Sequence, residues 1–95
     1  MFTVYILFTQ KHQRTYVGFT EDLTARLKRH NVRLVTATAP YAPWEVFYTE
    51  HCDDLGEAKI REKYWKSGGG RRKLKQMLDS HPSSDGRGSP TVVGG

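Results

Sequence analysis

Hydrophobic and polar positions along the first eighty residues predict three strands. Phe2 to Phe8 is a mostly apolar run, rich in β-branched and aromatic residues, as expected of a central strand. Thr15 to Phe19 predicts a second strand, and the polar residues 10–14 between the two runs predict an antiparallel hairpin. Trp44 to Glu50 predicts a third strand, with even-numbered side chains on one face and odd-numbered side chains on the other.

Three helices are predicted around these strands, over residues 22 to 31 or 32, 55–67 and 71–80. Leu23 and Leu27 form the buried stripe of the first helix, which Thr20 or Asp22 can cap. Residues 68–70 are glycines that end the second helix and separate it from the third, which is short and basic. The order β-β-α-β-α-α predicts an α+β fold, a small three-stranded antiparallel sheet flanked by helices.

The chain has 95 residues, enough for one small domain, which we assign to residues 1–80. The sequence beyond Ser80 is rich in Pro, Gly and Ser and predicts a disordered tail over residues 81–95. No apolar run approaches the ~18 residues of a membrane span, so we expect no membrane partner. The single cysteine, Cys52, excludes an internal disulfide and a multi-cysteine zinc site, and we expect a cytoplasmic protein.

Positive charge is concentrated in residues 59–75. This segment has eight basic residues and one acid, a net charge of +7, whereas the whole chain carries +5. Such density indicates a polyanionic partner, although a well-solvated helix face is the alternative explanation. We expect the nucleic-acid contacts to come from Lys63, Lys66, Arg71, Arg72 and Lys73.

Several polar side chains occupy positions where chemistry is conceivable. Arg26 and His30 are neighbours at i and i+4, along the border of the apolar face of the first helix. Taken singly, a surface arginine and a half-buried histidine are better explanations than catalysis. Glu62 lies in the middle of the apolar stripe formed by residues 55, 58 and 65, where a carboxylate must be paired or bind a cation. Lys66, one turn later, is the candidate for pairing, and a metal ion is the other.

The ordered set of these residues resembles the GIY-YIG nuclease superfamily. The two signature triplets correspond to Thr3-Val4-Tyr5 and Tyr16-Val17-Gly18, and Arg26, His30-Asn31 and Glu62 follow in the family's order. The resemblance covers about residues 1–80. It is strongest to small stand-alone members, which are related to the N-terminal nuclease domain of the DNA-repair excinuclease.

The resemblance implies a three-stranded sheet with helices and cleavage of phosphodiester bonds with one divalent metal ion, Mg²⁺ or Mn²⁺. It implies a role for each matching residue: Glu62 as metal ligand, Arg26 on the scissile phosphate, Tyr16 as general base, Tyr5 lining the site and His30 beside the phosphate. A lone carboxylate suits magnesium, which keeps several water ligands. A phenol with the reference pKa of about 10 needs nearby cations to act as a base near neutral pH.

Our leading hypothesis is therefore a metal-dependent endonuclease acting on DNA, including structured or branched DNA, in repair or recombination. The second hypothesis is a non-catalytic nucleic-acid-binding module, because Phe19 stands where some repair members of the family carry a lysine. A protein-interaction domain is a third. We expect substrate selectivity to come from the loop over residues 33–43 or from a protein partner.

Overall fold

A computed structural model of the chain describes residues 1–80. Its elements in chain order are β1 (Phe2–Thr9), β2 (Arg14–Thr20), α1 (Leu23–Asn31), a 3-10 turn (Ala39–Tyr41), β3 (Glu45–Cys52), α2 (Leu55–Lys66) and α3 (Gly68–Asp79). The strands form one antiparallel sheet in the order β2-β1-β3. The predicted α+β fold is thus confirmed. The predicted disordered tail, residues 81–95, lies outside the described residues, and the domain boundary at residue 80 stays a prediction.

The central strand β1 separates two buried clusters. Its odd-numbered face packs against α1 and the loop before β3, in a cluster of Tyr5, Leu7, Leu23, Leu27, Ala42 and Trp44. Its even-numbered face packs against α2 and α3, in a cluster that includes Val4, Ile6, Phe8, Ala58, Trp65, Leu74 and Leu78. The two signature tyrosines, Tyr5 and Tyr16, both belong to the α1 side.

The predicted alternation along β3 is wrong at Phe47. Ile6 faces Tyr48 and Leu7 faces Val46, so Phe47 is an extra residue in a β-bulge. Phe47 and Tyr48 therefore both pack against the α2 and α3 side, although they are neighbours in sequence. A bulge inserts one residue into one strand only, and the period of two is lost at that point.

The predicted break between the second and third helices is confirmed at Ser67, but the predicted start of the third helix at residue 71 is wrong. Ser67 ends α2 and caps α3, and the three glycines form the first turn of α3 instead of a linker. The Ser67 hydroxyl accepts a hydrogen bond from the Gly70 backbone N–H at 3.3 Å. A Cβ on Gly70 would lie 2.6 Å from the Cα of Trp65, so glycine allows the two helices to meet this closely.

Helix α2 buries part of its predicted stripe. Ala58 and Trp65 are 0% and 2% exposed, whereas Leu55 is 41% exposed and does not belong to the core. Leu55 is the first residue of the helix, N-terminal to the turns that carry Ala58 and Trp65 into the core. At twelve residues each, α2 and α3 are the longest helices within the described residues. None of the helices within residues 1–80 is long and apolar enough to cross a bilayer.

Candidate active site

The β1–β2 hairpin brings the two signature tyrosines onto one face of the sheet. Tyr5 pairs with Gly18, and Leu7 pairs with Tyr16, in the antiparallel register. A Cβ on Gly18 would lie 2.6 Å from the phenolic oxygen of Tyr5, so the Tyr5 ring crosses β2 through the space that this glycine leaves. The Tyr5 and Tyr16 ring centroids are 6.5 Å apart. Gly18 therefore lies inside the strand and makes room for Tyr5.

Helix α1 is held at the end of β2 by two capping contacts. The Asp22 carboxylate accepts a hydrogen bond from the Ala25 backbone N–H at 3.0 Å, and the Thr20 hydroxyl accepts one from the Asp22 N–H at 3.1 Å. The apolar stripe of α1 then packs on the sheet. This docking carries His30, which is 1% exposed, against the rings of both tyrosines, with centroid distances of 5.9 Å to Tyr5 and 5.0 Å to Tyr16.

A buried chain of hydrogen bonds runs from Tyr5 through His30 to the loop after α1. The Tyr5 hydroxyl lies 3.1 Å from Nε2 of His30, and Nδ1 of His30 lies 2.8 Å from the Thr38 hydroxyl. Thr38 lies 3.3 Å from the Val35 carbonyl, which can only accept, so the threonine O–H donates to it. Thr38 then accepts from Nδ1–H of His30, and Nε2 of His30 accepts from Tyr5. The loop thereby fixes the tautomer of the imidazole and makes Tyr5 a donor.

The pKa values of the two groups shift in the directions that this chain of bonds requires. Burial raises the pKa of Tyr5 to about 12, and the neighbouring Tyr16 adds to the rise. Burial lowers the pKa of His30, and the cations of Arg26 and Arg29 lower it further. Near neutral pH Tyr5 is therefore a phenol and His30 a neutral imidazole.

Two opposite charges act on the Tyr5 phenol from different helices. The guanidinium of Arg26, on α1, lowers the pKa of Tyr5, and the carboxylate of Glu62, on α2, raises it, although burial dominates both. Glu62 follows Ala58 by one turn of α2, and Arg26 precedes His30 by one turn of α1. The charges of Arg26 and Glu62 thus both act on the phenol that is hydrogen-bonded to His30.

Glu62 is the residue whose chemistry fits a metal ion. Its side chain is 25% exposed and its carboxylate lies 3.3 Å from the ammonium of Lys66, the pair that the sequence offered as the alternative to a metal. Within residues 1–80, no three or more histidine, cysteine or acidic side chains cluster as metal ligands. A single carboxylate with access to water nevertheless suits Mg²⁺, which binds through one or two carboxylates and retains waters.

The basic segment lies on α2 and α3, and some of its charge is neutralised. Arg61 donates to both oxygens of Glu50 at 2.9 and 2.7 Å, and Lys66 pairs with Glu62. The remaining cations predicted to bind nucleic acid are exposed and have no ion pair within the described part of the chain: Lys63, Arg71, Arg72 and Lys73. They leave exposed positive charge on α2, which carries Glu62, and on α3, which packs beside it.

Sequence reasoning missed Thr38, which is 1% exposed and completes the hydrogen-bond chain. It also missed how the loop is held. The Asn31 side chain donates to the Trp44 carbonyl at 3.0 Å and accepts from the Trp44 N–H, and the Trp44 indole donates to the Thr38 carbonyl at 3.0 Å. Residues 32–43 have no periodicity that could have signalled a buried threonine; the His30-Asn31 pair was the available sign that the end of α1 has partners.

Comparison with known proteins identifies a family. The family model of the GIY-YIG catalytic domain matches residues 1–76, which include both tyrosine strands, α1 and Glu62. No significant match was found among curated proteins or among solved structures. Because the family model covers most of the chain and the fold has the three-stranded sheet expected of the family, the chain belongs to the GIY-YIG nuclease superfamily.

Proposed function

We propose that this protein is a divalent-metal-dependent endonuclease that hydrolyses phosphodiester bonds in DNA. The observation that carries the proposal is the environment of Tyr5, whose phenol is bonded to His30, stands beside Tyr16 and lies in the field of both Arg26 and Glu62. A nuclease needs a base, a phosphate-binding cation and a metal ligand, and these five side chains supply the types required. DNA repair or recombination in the cytoplasm is the setting we propose, with structured or branched DNA as substrate.

The two tyrosines have different roles in this proposal. The Tyr5 hydroxyl donates a hydrogen bond to His30, and burial raises the pKa of Tyr5 to about 12. Tyr5 is therefore protonated near neutral pH and cannot accept a proton from water. Tyr16 is only partly buried and has no hydrogen-bond partner for its hydroxyl within residues 1–80. We therefore assign Tyr16 to take the proton from the attacking water. Tyr5, whose one O–H donates to His30, is left to border the phosphate.

Arg26 and Glu62 supply the phosphate-binding cation and the metal ligand in this proposal. Arg26 is partly exposed on α1 and has no ion pair within the described residues, so its planar fork is available to two oxygens of a phosphate. Glu62 would hold the metal ion after Lys66 releases the carboxylate. When bound, Mg²⁺ or Mn²⁺ supplies a Lewis acid that offsets negative charge on the phosphate and lowers the pKa of a coordinated water.

His30 and Thr38 act through Tyr5. His30 is 1% exposed, and its ring nitrogens are both occupied by neighbours, so it positions the phenol without touching the substrate. The family resemblance implied that His30 lies beside the phosphate, whereas in this proposal Tyr5 lies between His30 and the phosphate. Buried hydrogen bonds of this kind hold a side chain of the active site close to the geometry that catalysis needs.

The test is a nicking assay on supercoiled and branched DNA with Mg²⁺ or Mn²⁺. We expect Glu62→Ala and Tyr16→Phe each to lower the rate by at least roughly 100-fold, the order of magnitude of a lost acid–base or charge-stabilising group. Tyr64→Phe is the matched control, because it removes a hydroxyl from an α2 tyrosine on the other face of the sheet. Cleavage by the wild type that is unchanged in both site variants would overturn the assignment.

A non-catalytic nucleic-acid-binding module is the second candidate. The Glu62–Lys66 pair favours it, because a carboxylate bonded to an ammonium is satisfied without metal. The exposed cations on α2 and α3 would serve either function. Salt-dependent DNA binding by the wild type without any cleavage, in Mg²⁺ and in Mn²⁺, would select this second candidate.

A further inference from the structure

At the hairpin end of the candidate site, Arg14 and Tyr41 are side chains that the proposed reaction does not use. Arg14 and Tyr16 are two residues apart on β2, so they share one face of the sheet and are about 6.6 Å apart along the strand. Tyr41, in the 3-10 turn, packs against the same buried cluster as Tyr16. The turn between the strands adds two further side chains, Lys11 and His12.

Arg14 is held in place but its charge is not compensated. Its guanidinium carbon lies 4.1 Å from the centroid of the Tyr41 ring, and the His12 ring meets the edge of the same tyrosine at 5.6 Å. The two ion pairs within residues 1–80 involve Arg61 and Lys66, and the Arg14 side chain has no hydrogen bond there either. A guanidinium stacked on an aromatic face keeps its in-plane N–H donors free for a planar or tetrahedral anion.

We propose that the Arg14–Tyr41 pair binds the nucleic-acid phosphate next to the scissile one, so that the substrate strand follows β2 from Tyr16 towards the hairpin turn. The proposal rests on the proposed function, which puts the scissile phosphate at Tyr16. Stacking on Tyr41 limits the rotamers of Arg14 before binding, so little side-chain freedom is lost when it contacts a phosphate. This contact is separate from the cations on α2 and α3, which lie on elements that pack on the other face of β1.

The contact can be measured without cleavage, by titrating a fluorescent DNA duplex into the protein in EDTA at several salt concentrations. Arg14→Gln should weaken binding at least about fivefold at ~0.1 M salt and reduce the slope of log K against log salt by about 0.9, the value for one phosphate contact. Tyr41→Leu should weaken binding less, with a smaller change in slope, and Tyr41→Phe should match the wild type. Lys28→Gln is the control, because it removes one exposed charge about 200° around α1 from Arg26.

The outcomes separate this proposal from the proposed function. A slope that Arg14→Gln leaves unchanged, or that Lys28→Gln lowers as much, would overturn the phosphate contact even when the wild type cleaves DNA. A slope change specific to Arg14, in a wild-type protein that does not cleave, would support the contact and overturn the nuclease assignment. A folded wild type that binds no DNA at low salt would overturn both. Circular dichroism of each variant verifies that the fold is retained.

Discussion

The phenol of Tyr5 occupies the space that a side chain at Gly18 would need. A Cβ at position 18 would lie 2.6 Å from the phenolic oxygen and 2.8 Å from the ring carbon that bears it. The strand pairing places the two residues opposite each other, and the hydrogen bond to His30 restrains the ring from moving away. The glycine of the second signature triplet is thus required by the tyrosine of the first.

Gly18→Ala should therefore destabilise the protein by about 1–3 kcal/mol, the usual cost of overpacking a well-filled site. Urea unfolding followed by circular dichroism measures this change. In a Tyr5→Leu background, Gly18→Ala should lower the free energy of unfolding by less, because the phenol that the new methyl group would meet is absent. Gly56→Ala is the matched control: its Cβ would meet Asp54 at an ordinary 3.4 Å, and an alanine in a helix is up to about 1 kcal/mol better than glycine. Equal losses at both glycines would contradict the steric explanation.

The Thr38 hydroxyl should determine the tautomer of His30. Thr38→Val keeps the shape but removes the acceptor for Nδ1–H, which leaves a buried donor unsatisfied at a cost of about 1–3 kcal/mol. We expect the imidazole proton to shift towards Nε2, so that Tyr5 loses its acceptor. The nitrogen-15 chemical shifts of His30 report this change directly, and Thr38→Ser should restore the wild-type pattern.

The rate provides a second readout of the same change. If Thr38 positions Tyr5, Thr38→Val should lower kcat more than it raises KM, and Thr38→Ser should recover most of the loss. A purely structural threonine would lower the free energy of unfolding in Thr38→Val without moving the histidine shifts. Unchanged nitrogen-15 shifts in Thr38→Val would thus contradict the proton arrangement along the chain.

Burial of neutral His30 should make folding stability depend on pH in mildly acidic solution. The pKa of His30 is lower in the folded state than its unfolded value of about 6.5, so the unfolded chain binds more protons. The contribution of His30 to the free energy of unfolding should then be complete above pH ~6.5, and it should decrease as the pH drops below that value. Tyr5, Tyr16, Thr38, Arg26 and Arg29 surround or act on the ring, and none of them supplies a carboxylate that would reverse the sign.

Urea unfolding at pH 5 to 8 measures this dependence, and His30→Phe should flatten the curve between pH 5 and 7. The Glu50 carboxyl provides the contrast. Its hydrogen bonds from Arg61 lower its pKa, so its share of stability is lost at more acidic pH, below its ordinary value of 4.5. An unaltered slope near pH 6 in His30→Phe would show that the acid sensitivity has another source.

The sequence predicted the fold well for those helices and strands in which hydrophobic and polar residues repeat with a single period along the whole element. The β1–β2 hairpin, helix α1 and the position of Glu62 on α2 all followed from local patterns, and the order of the elements was confirmed. The errors arose where tertiary contacts override a local rule. Glycines usually end helices, but residues 68–70 form the first turn of α3, and position 70 needs a glycine because the backbone of Trp65 lies too close for any side chain. The bulge at Phe47 and the buried hydroxyl of Thr38 depend on partners more than six residues away, which no local pattern reveals.

Lys66 should compete with metal ions for Glu62. The Lys66 ammonium lies 3.3 Å from the carboxylate, both side chains are partly exposed, and they are one turn apart on α2. Lys66→Gln removes this cation and frees the carboxylate, so we expect Mn²⁺ to bind several-fold more tightly to this variant, because a nearby positive charge opposes a cation. Electron paramagnetic resonance of Mn²⁺ measures the free ion without any need for turnover.

Lys63→Gln is the matched control for this competition. It removes the same charge from the same helix, but Lys63 is exposed and has no ion pair within residues 1–80. Its effect on Mn²⁺ affinity should therefore be small and should decrease at high salt, since an exposed charge that makes no ion pair is screened by salt. Glu62→Gln should abolish the difference between wild type and Lys66→Gln. Equal gains in Lys63→Gln and Lys66→Gln would mean that net charge alone, and not the Glu62–Lys66 pair, controls metal affinity.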